Sequence, residues 1–312
     1  MNRLLRPVAA LVVLGVLLAG CTSGGADADR SAPVPERTTK TEPEPPAQEG
    51  SGPRLRYVAL GDSFTAAPAL PVTDPDDPCL RSSGNYPAQV ATALGESYRV
   101  ELRDRSCSGA VTADLAAPQV AGGGEVPPQL AGLDRRTDLV TLSMGGNDFS
   151  VFLRLVGGCV ALAEQDPEGS PCADAAGNDA PLDDVAPEIE QRLVDAVATI
   201  RDRSPRAQVL LVGYPQLIPA RGGCPELLPL ATGDLAFARE GNRALSDLVA
   251  RAADRAGAGY VDVWSASRGH DVCADEPWIS GRGGDPSGAI PFHPLPAGQE
   301  AVARLVLAQV AG

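Results

Sequence analysis

Between Leu55 and Gly312, short apolar runs rich in β-branched residues alternate with helical patterns, and that alternation limits the architectures open to the chain. Five runs read as strands: LRYVAL (55–60), YRVELRD (98–104), DLVTLSM (138–144), QVLLVGY (208–214) and GYVDVW (259–264). Helical patterns fall at 86–95, 111–116, 184–203, 231–257 and 297–310. In the third of these Ile189, Leu193, Val197 and Ile200 share one face, while Glu188, Gln191, Arg192 and Asp195 lie elsewhere. Nearly continuous apolar strands joined by helices predict an α/β fold: a five-stranded parallel sheet covered on both faces in the flavodoxin-like manner. Ligands of such sheets bind beyond the carboxyl ends of the strands, so the residues that follow each run are the place to look for chemistry.

Gly61-Asp62-Ser63 follows the first strand, Ser106-Cys107-Ser108-Gly109-Ala110 the second and Gly145-Gly146-Asn147-Asp148 the third. PFHPLPAG, which contains His293, opens the last helix. A serine nucleophile needs a base within hydrogen-bond reach and donors aimed at the oxyanion of the tetrahedral intermediate. Ser63 is the expected nucleophile and His293 the expected base. The expected oxyanion donors are the backbone N–H groups of Ser63 and Gly109 with the side-chain amide of Asn147. A serine at this place also suits a helix cap, a role compatible with attack, and the N-terminus of a helix favours developing negative charge. Asp62 is expected to bond backbone groups around the serine. His270, three residues before Cys273, reads as a structural histidine.

Gly-Asp-Ser, the glycine of CSGA, GGND and a late FHP, in that order across residues 57–298, resemble the four blocks of the SGNH hydrolases, also called GDSL esterases and lipases. The cysteine layout and GHDVCADEPWISG (269–281) resemble the secreted actinobacterial branch of esterases, lipases and phospholipases. The resemblance implies a three-layer α/β/α fold, no cofactor, and hydrolysis of carboxylic esters through an acyl-enzyme; it does not fix the substrate, and fatty acyl or lipid esters are the expectation. A carbohydrate deacetylase of the acetylxylan or peptidoglycan type is an alternative, as is a cell-surface binding lipoprotein that has lost catalysis. One position departs from the pattern. Many members carry an Asp three residues before the histidine, where this chain has Ile290. The branch includes enzymes with a Ser-His dyad and an imidazole oriented by a backbone carbonyl, so the carbonyl of Ile290 is expected to accept from His293 Nδ1–H. Asp285 in GGDPSG is the alternative partner.

At the start of the chain, Arg3 and Arg6 precede an apolar run from Val8 to Gly20 that is short for a membrane span, so residues 1–20 read as an export signal. The run ends in LLAGC, which resembles the bacterial lipobox. That resemblance implies cleavage before Cys21, a lipid on Cys21, and anchoring to the extracytoplasmic face of a membrane; an ordinary signal with an incidental cysteine is the alternative. Residues 21–54 are rich in Pro, Glu, Ser, Thr and Gly and predict a disordered tether, leaving 55–312 as one domain.

Six cysteines besides Cys21 are an even number for an oxidising space. Many connectivities are open to them. Sequential pairing, in which each pair closes its own loop, expects Cys79–Cys107, Cys159–Cys172 and Cys224–Cys273. The chain has no C-x-x-C and only two histidines, so no metal site is expected. A formal charge of -14 argues against nucleic acid as a partner, and a monomer is expected. The insert at 150–181, with its VFLRLVGGCVAL, reads either as the lining of an acyl pocket near Asn147 or as a core-packing flap.

Overall fold

The computed structural model describes residues 52–177 and 181–311. The expected export signal, Cys21 and the tether as far as residue 51 lie outside the described residues. Strand β1 (Arg54–Gly61) opens the domain, followed by β2 (Arg99–Asp104), a small antiparallel hairpin of β3 (Gln119–Ala121) and β4 (Gly124–Val126), then β5 (Leu139–Ser143), β6 (Gln208–Val212) and β7 (Gly259–Val261). All strands but the hairpin pair in parallel, in the spatial order β2-β1-β5-β6-β7. Counted without the hairpin, that is the flavodoxin order, whose switch point lies between β1 and its neighbour β5.

Alternation of side chains along each strand assigns the two faces. Val58, Leu60, Val140, Leu142, Val209 and Leu211 point to one side, in one apolar cluster with Ile189 and Leu193 of helix α3 and Leu248 of helix α4. Their sequence neighbours Tyr57, Ala59, Leu139, Leu210 and Val212 point to the other, clustered with Val90 of helix α2 and Val306 of helix α5. These helices are α2 (Tyr86–Leu94), α3 (Ala186–Arg203), α4 (Leu235–Ala256) and α5 (Pro296–Ala311); the single-turn α1 (Ser63–Ala66) precedes them. Full burial of a large aliphatic side chain stabilises by about 1.5–3 kcal/mol, so the doubly covered sheet supplies most of the cohesion. Asn85 caps α2 by accepting the Ala88 N–H at 2.9 Å. Glu190 of α3 accepts from Arg251 and Arg255 of α4 at 2.8 and 2.6 Å, fastening the two long helices.

Two regions differ from the sequence expectation. The pattern at 111–116 forms only a 3-10 turn, Thr112–Leu115. The β3–β4 hairpin was not expected: its strands have three residues each, too short for period-two alternation to show. The insert forms helical segments at Val151–Leu153, Arg154–Gly158, Cys159–Ala163 and Pro171–Ala176. Disulfides join Cys79 to Cys107, Cys159 to Cys172 and Cys224 to Cys273. Among the described residues no helix is long and apolar enough to cross a membrane.

Candidate active site

The end of β1 is crowded. A Cβ at Gly61 would fall 2.8 Å from the Ser143 carbonyl and 2.1 Å from Thr65 Oγ1, so glycine lets the chain turn tightly against β5. The residue that caps α1 is Asp62, whose carboxylate accepts the Phe64 N–H at 2.9 Å. Ser63 is therefore the first helical residue rather than the cap, and its hydroxyl is left for another partner. That partner is His293: Nε2 and Ser63 Oγ lie 2.9 Å apart. Because α1 has four residues, the dipole expected of a longer helix is small here.

His293 is oriented by a backbone carbonyl, but not the expected one. Its Nδ1 lies 2.8 Å from the Pro291 carbonyl oxygen. The Ile290 carbonyl instead accepts the His293 backbone N–H at 3.2 Å and the Ser280 hydroxyl at 2.6 Å. The reason is local: that backbone bond closes a turn through Phe292, which has a φ of 60°, so the Ile290 oxygen serves the turn and the Pro291 oxygen faces the ring. Asp285, the alternative partner, bonds elsewhere. Its carboxylate accepts the Ser287 N–H at 2.7 Å and its carbonyl the Gly288 N–H at 2.9 Å, which makes it a turn residue. Among the described residues no carboxylate is hydrogen-bonded to His293.

The imidazole lies against Phe64 and Phe152, with ring centroids 5.3 and 5.5 Å away. Burial lowers its pKa from the ordinary 6.5, and the bond to Pro291 offsets part of that. The ring is thus neutral at pH 7, the form a general base requires. His270 stands apart, stacked on Trp278 at 4.6 Å, its Nδ1 2.7 Å from the Glu276 carbonyl.

Across from the histidine, the Cys79–Cys107 disulfide and bonds from Cys107 N–H to Gly61 O (3.0 Å) and Ser108 N–H to Cys79 O (3.1 Å) hold the loop bearing Gly109. Gly109 has a φ of 77°, a conformation that favours glycine. Asn147 Nδ2 donates to the Ala110 carbonyl at 3.1 Å, which sets its amide beside that loop. Among the described residues, neither the Ser63 N–H nor the Gly109 N–H donates to a protein acceptor. Asp148, fully buried, accepts the Thr112 N–H at 2.9 Å and Arg192 at 3.0 Å, tying the GGND block to the turn after Gly109.

Tyr214, which sequence reasoning missed, links the blocks from beneath. Its hydroxyl donates to Asp62 and accepts the Gly146 N–H at 3.1 Å. Burial raises the Asp62 carboxyl to about 6, against the hydrogen bonds from Tyr214 and the Phe64 N–H, which lower it. Tyr214 follows β6 by two residues, but the run read as a strand extended over it, to 214, so looking past that run passed it by. Gln129, which clasps the Gly61 backbone at 2.8 and 2.9 Å, had no such signal. Ser280 was also missed; it bonds the His293 backbone as well as Ile290.

A hydroxyl on a neutral imidazole, with spare N–H donors and an amide nearby, has the parts needed for acyl transfer. Comparison with known proteins agrees. The model of the GDSL-like Lipase/Acylhydrolase family matches residues 59–301. Lipase 2 of Streptomyces coelicolor is 39% identical over 268 residues, covering 83% of this chain and 86% of that protein. Lipase of Streptomyces rimosus is 31% identical over 239 residues, covering 73% and 78%. The crystal structure of phospholipase A1 from Streptomyces albidoflavus NA297 superposes with a TM-score of 0.65 at 26% identity, covering 81% of this chain and 98% of that one. With its family model matched over most of the domain and a relative at 39% identity, this chain belongs to the GDSL-like lipase/acylhydrolase family and is an ester hydrolase.

Proposed function

We propose that the chain is an exported, lipid-anchored serine hydrolase that cleaves fatty acyl or other lipid esters through a covalent acyl-enzyme on Ser63. The observation that carries this reading is the 2.9 Å approach of His293 Nε2 to Ser63 Oγ, with Nδ1 on the Pro291 carbonyl. Nδ1–H donates to that carbonyl, so Nε2 is the basic nitrogen facing Ser63. As Oγ bonds to the ester carbonyl carbon, its proton passes to Nε2. The tetrahedral oxyanion is received by the N–H groups of Ser63 and Gly109 and the Asn147 amide, each such donor typically worth about 2.7–4 kcal/mol in the barrier. Collapse breaks the carbon–oxygen bond to the alcohol, which leaves with the proton from Nε2. Water then attacks the acyl-enzyme, gives its proton to Nε2, and the acid departs as Oγ recovers that proton.

Acyl esters are favoured over acetylated sugars because Phe64 and Phe152 flank the histidine, and because relatives at this similarity are described as lipases and a phospholipase A1. Export and anchoring rest on the N-terminal signal pattern and Cys21. A panel of esters differing in acyl length and head group, with acetylated xylan alongside, tests the reading. Wild type should turn over lipid-like esters in preference to the glycan, and Ser63→Ala should lose at least about 10³-fold in kcat. Turnover by Ser63→Ala near that of wild type would remove Ser63 from the mechanism.

A further inference from the structure

We propose that Gln119, on the first strand of the β3–β4 hairpin, is a positioning residue that sets the direction of the Gly109 N–H for the oxyanion. The proposal rests on the reading of Gly109 as an oxyanion donor and deepens it. Cys107–Ala110 is a four-residue turn, closed by the Ala110 N–H on the Cys107 carbonyl at 3.1 Å. Gly109 is its third residue, and its φ of 77° matches the value of about +80° that a type II turn requires there. Types I and II differ chiefly by a flip of the central peptide, here the one joining Ser108 to Gly109. That peptide is planar and trans, so the Ser108 carbonyl and the Gly109 N–H point in opposite directions. Whatever holds the carbonyl therefore aims the donor.

Gln119 holds it. Its Nε2 donates to the Ser108 carbonyl at 2.9 Å. Beyond the chain neighbours, among the described residues, that nitrogen is also the only heavy atom within 4 Å of a Cβ built on Gly109, at 3.9 Å. The Ser108 N–H is taken by the Cys79 carbonyl at 3.1 Å, so residue 108 is gripped at both ends. The hairpin is itself anchored. Ala121 and Val126 pack on the core, and Gly122 at the tip sits so close to Pro78 that a Cβ would fall 2.8 Å from the Pro78 Cα. Pro78 adjoins Cys79, whose disulfide reaches Cys107 at the start of the turn. Gln119 Oε1 is buried and has no partner among the described residues, which costs stability, so what the amide supplies here is its bond to Ser108. A hydrogen bond at the carbonyl also polarises the peptide and strengthens its N–H as a donor to developing negative charge.

Gln119→Met keeps the length of the side chain and removes the donor. In the folded variant, checked by thermal unfolding, kcat for p-nitrophenyl butyrate should fall about tenfold with KM within about twofold of wild type, because the oxyanion forms only in the transition state. Affinity for a trifluoromethyl ketone should weaken by a similar factor. That inhibitor adds Ser63 Oγ to its carbonyl carbon, sends the serine proton to His293 and leaves an oxyanion in place of the ester's. Unchanged kcat, or a fall in kcat without loss of ketone affinity, overturns the proposal. A second measurement uses wild-type protein and decides the matter if Gln119→Met fails to fold. In its NMR spectrum, ketone binding should move the Gly109 amide proton downfield and the Gln119 side-chain N–H with it, since hydrogen bonds at the two ends of one peptide strengthen each other. A Gly109 shift with Gln119 unmoved overturns this proposal alone. A Gly109 proton that stays in place removes Gly109 from the oxyanion, and the role of Gln119 with it.

Discussion

Among the described residues, His293 Nδ1 is held by the Pro291 carbonyl alone, at 2.8 Å. A carbonyl can fix the tautomer and aim the ring, but it brings no negative charge to stabilise an imidazolium as a triad carboxylate does. Burial then prevails and the histidine pKa lies below 6.5. With the neutral ring as the proposed base, kcat/KM should rise with pH and level off, with a midpoint below 6.5 in a pH–rate profile. Asp62, raised to about 6, titrates in the same range. The limb should persist in Asp62→Asn, which keeps a capping oxygen and cannot ionise; a profile made flat by that change would assign the limb to Asp62. Asp285→Asn should leave kcat within about twofold of wild type, because the carboxylate serves a surface turn. A drop of several hundredfold would mean that the carboxylate orients the histidine in solution.

Among the elements, legibility followed length and periodicity. The amphipathic stripe of α3 and the runs of β1, β2, β5 and β6 span several repeats of their pattern, so their existence could be read directly. The β3–β4 hairpin could not, and the Pro291 carbonyl could not either, since a single positive φ at Phe292 decides which oxygen meets the ring. Tyr214 belongs to this scale because it joins the turn after β1 to the turn after β5. Tyr214→Phe would leave the Gly146 N–H without an acceptor and Asp62 Oδ2 without a donor, each buried. Such orphaned groups cost about 1–3 kcal/mol, which denaturant titration would read. Gly146 adjoins Asn147, so kcat should fall more than KM rises. Lost stability with unchanged kcat would confine Tyr214 to holding the fold.

At the scale of the molecule, the five-stranded sheet accounts for why four short blocks far apart in sequence meet. Ser63 and Asn147 follow strands that are direct neighbours at the switch point, Gly109 follows the strand on β1's other side, and His293 precedes α5 on the face shared with α2. Each block was recognisable in the sequence because strand ends in a parallel sheet share one edge. The cross-links between them, Asp62 with Tyr214 and Asp148 with Thr112, were not, since they depend on burial and register. The same geometry makes one claim above the others: a single serine, activated by a histidine without a carboxylate, carries the acyl group. Peptide-mapped labelling with a fluorophosphonate tests it most directly. The account predicts one adduct, on the peptide carrying Ser63, absent in Ser63→Ala and formed far more slowly in His293→Ala. An adduct on another serine, or labelling undiminished in Ser63→Ala, would contradict it.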